Sequence, residues 1–392
     1  MHLSGHPKVI TGIISRREQL DITNYRNKRI KIMNRTVFLL VTLLCLYLSC
    51  TEKKQEEKIL LENFPIPKEM HPRWSDLFTD KSEITPLETT SECLVGQIDK
   101  IKKFKGHYYI SSSGGQSILH FNEKGKFVSV LSKQGQGPEE YQRIEDFDIC
   151  ETEGTTEIWI SDNISLKVYD AADLSFKFKI PYSYVIHKFK RLDNSHILLV
   201  TGQNENTLTL TDKEGKILSD YLKKEIPFIM FRPVQFIACG SDYLFQLGIS
   251  NTYVAFNSET ETFREGVFTQ DQSYLSKEQL LESFKIDGMD FILKANQGSY
   301  INNFVSLRDI IWVQTHNNGQ NFLTKIQNGQ AVSTEFTYGS VLSTISVADS
   351  DNSVLLYANP EQLSEYGNDL FDKFGNKINC HAEDNPCIIE FF

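Results

Sequence analysis

Residues 97–135 read QIDKIKKFKG-HYYISSS-GGQ-SILHFNEKG-KFVSVLSKQG, and this stretch decides the fold. It contains an alternating strand, a turn, a second strand, a polar loop, a third strand, a Gly-bearing turn and a fourth strand. Six copies of the pattern run through residues 98–392, their first strands starting near 98, 144, 185, 234, 303 and 341. A period of about 40–50 residues with four strands per copy marks blades, because a single four-stranded sheet covers its two faces only against neighbouring copies. The expected fold is all-β, a six-bladed β-propeller of four-stranded blades occupying residues 81–392.

Strands A to D of each blade run outwards from the channel. Blade 1 is expected at 98–104, 107–112, 117–122 and 126–132, and blade 2 at 144–150, 157–161, 165–170 and 174–180. Blade 3 takes 185–191, 196–201, 206–212 and 216–222; blade 4 takes 234–239, 243–248, 252–257 and 262–268. Blade 5 takes 303–307, 309–315, 321–326 and 331–336. Blade 6 has only 341–349, 353–358 and the terminal 386–392, with a polar, helical insertion over 361–375. EITPLETT (83–90) belongs to no other blade, so it is expected to pair with 386–392 and close the ring, removing exposed sheet edges. SKEQLLESFK (276–285) places Leu280, Leu281 and Phe284 at helical spacing, a helix acting as a lid or shielding an apolar patch.

The chain has 392 residues, 40% hydrophobic and 23% charged, enough to bury a substantial core. Residues 36–49, TVFLLVTLLCLYLS, are too short to span a bilayer but suit a signal-peptide core. They follow Met33-Asn34-Arg35 and end at Ser49-Cys50, an order that resembles a bacterial lipoprotein signal, with Tyr47 where Leu is usual. The expected organisation is a non-native extension at 1–32, a lipoprotein signal at 33–49 with Cys50 as the lipidated residue, and a tether at 50–80. Met33 is then the true start. The tether opens TEKKQEEK, a charged run that leaves periplasm-facing and outward-facing placements both open.

The whole chain has 41 basic and 51 acidic residues, and residues 1–49 hold eight and two of them, leaving 33 against 49 and a net charge of −16 after cleavage. Such a surface repels phosphate backbones and argues against nucleic-acid partners, and the lipid alone would hold the protein at the membrane. Beyond Cys50 lie Cys93, Cys150, Cys239, Cys380 and Cys387. Their number is odd; either Cys380 pairs with Cys387 across a Pro-containing turn, or all five are small buried apolar residues.

The segments ITPLETT, LVGQIDKI, YYIS, ILHFNEKGKFVSVLSKQGQGPEEY and DFDI, with NPCIIEFF at the end, resemble the six-bladed β-propeller lipoproteins abundant in Bacteroidetes. Those are related in shape to NHL-repeat and TolB-like propellers. The resemblance covers residues 83–392 and implies a protein of the outer membrane or cell envelope. It implies no particular chemistry, because propellers serve many functions.

Candidate contacts lie where loops gather. Gly135-Gln136-Gly137-Pro138-Glu139-Glu140-Tyr141 crosses from blade 1 to blade 2. Either its amides with Gln136, Glu139, Glu140 and Tyr141 bind a ligand, or it is a tight turn whose Tyr141 packs between blades. The B–C loops 111–116, 161–163, 202–206, 248–251 and 315–320 share that face and offer Asp162, Asn163, Asn204, Asn251, Asn317 and Asn318. Such neutral hydrogen-bonding groups suit sugars and peptide amides, and they are also default turn formers. Arg143 and Arg232 are the expected cations of the rim. Glu145, Asp146, Asp148, Glu151 and Glu153 lack the order of a calcium loop and read as an exposed acidic edge. His381 with Cys380 and Cys387 is too sparse for structural zinc, so no metal and no cofactor is expected.

Nucleophile-elbow, phosphate-loop and HExxH motifs are missing from the sequence. The leading expectation is a non-enzymatic binding or scaffold module for a glycan, a peptide or a partner envelope protein. A carbohydrate-active hydrolase or lyase is the alternative, requiring two carboxylates converging at the channel mouth. A structural part of a larger outer-membrane complex is a third.

Overall fold

Every hairpin expected from the sequence closes within a single antiparallel sheet. The computed structural model describes residues 82–392 apart from 113, 203, 225–235, 240, 247–249, 270–271, 287, 308–309, 318–319, 328–329, 337–345, 349–352 and 365–369. Blade 1 comprises β2 (Ile98–Phe104), β3 (His107–Ser112), β4 (Ser117–Phe121) and β5 (Phe127–Leu131), hydrogen-bonded in that order; β1 (Ser82–Pro86) belongs to the last blade. Blade 2 is β6 (Asp146–Thr152), β7 (Thr155–Asp162), β8 (Ser165–Asp170) and β9 (Phe176–Pro181). Blade 3 is β10 (Val185–Arg191), β11 (His196–Gly202), β12 (Asn206–Asp212) and β13 (Ile217–Lys223).

Blade 4 is β14 (Ile237–Cys239), β15 (Asp242–Phe245), β16 (Thr252–Asn257) and β17 (Thr262–Val267). Helices α1 (Lys277–Ile286) and α2 (Gly288–Gln297) then lead into blade 5, β18 (Tyr300–Leu307), β19 (Ile310–Asn317), β20 (Gln320–Gln327) and β21 (Gln330–Phe336). Blade 6 has β22 (Ser346–Ala348), β23 (Ser353–Ala358) and, after the short helix α3 (Pro360–Ser364), β24 (Cys387–Phe391). First strands of neighbouring sheets approach one another, β2 meeting β6 and β22, and β18 meeting β14 and β22. They therefore ring the axis.

Burial follows position in the blade. The middle strands β7, β11 and β23 are buried in runs rather than alternately, because sheets pack on both of their faces. The outer strands β9, β13 and β17 are half exposed at the rim. Side chains of adjacent sheets interlock: Tyr109, Ile118 and Leu131 of blade 1 pack with Ile149, Ile158 and Ile160 of blade 2. Each such burial stabilises by about 1.5–3 kcal/mol. Strand C repeatedly ends in Asn or Asp, whose side chain caps the following turn: Asn122 Oδ1 accepts the Lys124 and Lys126 amides at 2.9 and 3.0 Å. Asp212 repeats this with Glu214 and Lys216, and Asn257 with Glu259 and Thr260.

The last blade closes as expected. Its order is β1-β24-β23-β22, and β1 runs antiparallel to β24 from Ser82 opposite Phe391 to Pro86 opposite Cys387. Asn385 fastens the chain just beyond: its Nδ2 donates to the carbonyls of Glu88 and Cys93 at 2.7 and 2.8 Å, and its Oδ1 accepts the Val95 amide at 2.8 Å. Gly125 has φ 74°, and a Cβ there would lie 2.1 Å from the Pro86 carbonyl oxygen, so only glycine lets the blade 1 turn reach the closing strand. Inside the seam, Lys103 Nζ reaches both Glu390 oxygens at 2.7 and 3.0 Å, and Ser353 donates to the same carboxylate.

Two insertions differ from expectation. The segment after Tyr274 forms two helices where the spacing shows one, because Gly288 opens a second amphipathic turn. Of the 361–375 insertion, the described residues are helical up to Ser364 and non-helical from Leu370 onwards, and 365–369 lie outside the described residues. Asp372 Oδ1 accepts the amides of Phe374 and Asn376, making a capped turn of the kind that ends strand C elsewhere.

Candidate functional site

In blades 1, 2 and 4 the B–C turn and the crossing that follows share one face and are tied by hydrogen bonds. Ile144 N donates to the Gly115 carbonyl at 2.8 Å, Ile186 N to Asn163 at 2.7 Å, and Asn251 N to Leu275 at 3.0 Å. A Cβ on Gly115 would sit 2.2 Å from the Ile144 oxygen, so the close approach of turn and crossing demands glycine. In blades 1 and 3 the inner strand carries an irregularity at this rim, where the pairing register slips past Asp99 and His187. Such bulges re-aim side chains, and β18 repeats the slip at Asn302.

The 134–143 crossing is the most built part of this face. Gly135 N donates to the Tyr141 carbonyl at 2.9 Å, Tyr141 N to Lys133 at 3.0 Å, and Gly137 N to Glu140 Oε2 at 2.8 Å. Tyr169 Oη donates to the Glu139 carbonyl at 2.9 Å, and Lys167 Nζ reaches the Glu140 carbonyl. Two of the candidate contact residues at this crossing are interior. Tyr141 is fully buried, its hydroxyl within 2.8 Å of the Gln116 carbonyl and 3.0 Å of that of Leu131, and burial pushes its pKa up to about 12. Asp162 is buried as well; it accepts the Gln142 and Arg143 amides at 3.0 and 3.3 Å and pairs with Lys167 at 2.8 Å. Both hold the crossing rather than face solvent.

Gln136, Glu139, Glu140, Arg143 and Asn163 are exposed, and the crossing brings them beside the blade 2 turn. Asn163 has φ 53°, a left-handed conformation that Asn tolerates well. The other Asn candidates sit on separate blades. Asn204 turns inward, its Nδ2 3.4 Å from Thr201 Oγ1, while its carbonyl accepts Lys224 Nζ at 2.8 Å. Asn251 is buried and donates to the Thr269 carbonyl at 2.7 Å, leaving its Oδ1 without a protein donor. Asn317 accepts Ser299 Oγ at 2.9 Å. Cys50, Arg232 and Asn318 lie outside the described residues, as does the TEKKQEEK run.

The expected exposed acidic edge on blade 2 is corrected by the channel. Asp146 and Asp148 are 3% and 6% exposed. Asp146 lies 2.8 Å from Lys100 Nζ and 3.7 Å from Lys188 Nζ. One rung further along, Asp148 lies 2.9 Å from Lys102 and 3.7 Å from Lys190. Burial alone would raise the Asp148 carboxyl, but Lys102, Lys190 and Lys100 hold it well below the usual range. Each aspartate is thus shared by lysines from two neighbouring blades. Sequence reasoning missed this ladder, although its signal is present as charges at alternate positions of the inner strands: Lys100 and Lys102, Asp146 and Asp148, Lys188 and Lys190. Glu151 and Glu153 are exposed, as expected.

His187 was missed too. It stands beside this ladder at the mouth, its pKa lowered to about 4 by burial and by Lys224 and Lys188. A further buried carboxylate, Glu157, lies towards the opposite face: its Oε2 accepts Thr152 Oγ1 at 2.9 Å and Trp159 Nε1 at 2.8 Å, and Arg191 stacks 4.6 Å from the Trp159 ring. Among the described residues no group of three or more His, Cys, Asp and Glu is placed to hold a metal, and no helix is long and apolar enough to cross a membrane.

Comparison with solved structures gives the same fold. A Bacteroides fragilis protein described as exported superposes with TM-score 0.64 at 15% identity, over 84% of this chain and 98% of that one. Two looser likenesses carry no argument. A luciferin-regenerating enzyme matches at TM-score 0.43 and 9% identity, over 79% of this chain and 94% of that one. The extracellular domain of a Bacteroides thetaiotaomicron hybrid two-component system matches at 0.41 and 13%, over 77% and 35%. No curated protein matches the sequence. A family model described as domain of unknown function DUF4934 covers residues 64–391, and this six-bladed propeller therefore belongs to that family.

Proposed function

We propose that the chain is an envelope-anchored lipoprotein, lipidated at Cys50, whose crossing face acts as a binding or scaffold module for a glycan, a peptide or a partner envelope protein. The observation that carries this reading is the 134–143 crossing. Its backbone is held by Tyr141, Asp162, Lys167 and Tyr169 from within, while Gln136, Glu139, Arg143 and Asn163 face outwards. A preorganised polar surface of this kind loses little entropy on binding. The signal-like segment 36–49 and the exported Bacteroides neighbour support the address.

Carboxylate chemistry has less support. Asp148 and Glu157, both buried, have pKa values lowered, Asp148 by its lysines and Glu157 by hydrogen bonds from Lys177, Trp159 and Thr152 that outweigh burial. A general acid needs the opposite shift.

The test is a screen of the purified protein against glycan and peptide arrays, repeated with Arg143→Ala/Asn163→Ala and, as a control on the opposite face, Glu123→Ala. A ligand lost with the first variant and kept with the second supports the reading. Turnover of any array member, or loss of binding only with Glu123→Ala, contradicts it.

A further inference from the structure

We propose that Cys380 and Cys387 are joined by an intramolecular disulfide in the exported protein, a covalent clasp on the seam that closes the propeller. The proposal rests on the envelope placement above for its oxidising surroundings. Their sulfurs are 3.8 Å apart. The intervening turn already has its final form: His381 N donates to Asp384 Oδ2 at 2.8 Å, Asp384 N to the His381 carbonyl at 2.9 Å, and Asn385 is bonded to Glu88, Cys93 and Val95. Bond formation therefore needs only a small approach of two side chains, not a refolding of the loop.

The two thiols are unequal in the way exchange requires. Cys380 is half-buried, and the hydrogen bond from Cys387 lowers its pKa; Cys387 is fully buried, and that same bond, with burial, raises its own. Cys380 as thiolate attacks one sulfur of a donor protein disulfide, breaking that S–S bond and releasing the donor's other sulfur as a thiolate that takes up a proton. Cys387 then gives up its proton and attacks the Cys380 sulfur, expelling the donor's second thiolate. Two cysteines are oxidised and one donor disulfide is reduced to a dithiol. Cys93 is excluded from the exchange, buried with Sγ 3.1 Å from the Glu88 carbonyl, and Cys150 packs against Arg191.

What the clasp secures is specific. Cys387 is the residue of β24 opposite Pro86 of β1 and Ala358 of β23, and Asn385 in the closed loop anchors the chain between β1 and β2. Reduction should raise the opening of the closing strand by roughly tenfold to a hundredfold, the entropy of a short loop regained.

The experiment maps thiols. No Lys or Arg follows Lys377, so both cysteines fall in one tryptic peptide, 378–392. Reduced full-length protein is incubated with an oxidised thioredoxin-fold disulfide donor, blocked with N-ethylmaleimide, digested and weighed. The expected peptide is unlabelled and two hydrogens lighter than the dithiol, with Cys93 and Cys150 labelled only after unfolding. Hydrogen exchange across 83–92 should quicken with reductant in the native sequence and be reductant-insensitive in Cys380→Ser. A 378–392 peptide labelled at both cysteines, or linked to Cys93, overturns the pairing itself. A link formed by the donor but absent from protein isolated from the native envelope overturns the proposal through its address instead.

Discussion

Blades 1, 2 and 3 meet at the axis through charge, with Lys100 and Lys188 sharing Asp146 and Lys102 and Lys190 sharing Asp148. Blades 4, 5 and 6 meet through rings: Phe268 packs 4.5 Å from Phe304 and 5.0 Å from Tyr253, and Trp312 lies 5.0 Å from Phe391. The two solutions differ in what they reject. A ring cluster accepts any well-packed apolar volume, so it tolerates small displacements. A ladder of buried pairs contributes little net free energy, but a shift by one residue would leave lysines and aspartates desolvated without partners. The charged half therefore fixes register around the crossing that carries the candidate contacts, while the aromatic half supplies bulk burial. The seam between blades 6 and 1 combines both, with Lys103–Glu390 beside a core of Tyr108, Ile110 and Ile388.

The largest effect is expected at that seam. Glu390→Leu strands a buried ammonium and should cost about 3–5 kcal/mol in denaturant unfolding, most of it recovered when Lys103→Met is added. In the aromatic half, Phe304→Ala should cost about 3 kcal/mol or more, with no second change that restores it and no dependence on salt. Asp162→Ala, which frees the crossing amides and Lys167, should cost about 2 kcal/mol and speed hydrogen exchange in 134–143.

Acid should separate the halves further. Asp148 has a lowered folded pKa, so its contribution is complete above the unfolded aspartate range and is lost as pH falls below about 4. His120, lowered from 6.5 to about 4 by burial and by His107, binds its proton more readily unfolded. Stability then already declines between those two values, and because His187 is lowered to the same range, His120→Gln should make that part of the profile shallower without abolishing its slope. Met289→Ser with Leu293→Ser, on the exposed side of α2, should change unfolding by no more than about 0.5 kcal/mol. A large loss there would mean the helix face is covered by something that contributes to stability.

The repeat made blade number and ring closure readable because strand alternation and Asn or Asp at the end of strand C recur locally, as at Asn122, Asp212 and Asn257. Exposure within the crossing was not readable in the same way. Asp162 and Asn163 are adjacent polar turn residues, yet Asp162 is buried by the amides of Gln142 and Arg143 from another blade's approach. Asp146 and Asp148 read as an acidic edge because their lysines come from strands more than 40 residues away. Local pattern carries the backbone; the partner of a buried charge is a property of the closed ring.

The crossing face, held from within by Tyr141, Asp162, Lys167 and Tyr169, is the proposed contact surface. Hydrogen exchange of the full-length protein with and without an array-selected ligand tests it most directly. New protection confined to 134–143 and 161–164 is the expected result. Protection at 105–107 and 151–155 on the opposite face, with the crossing unchanged, would contradict it.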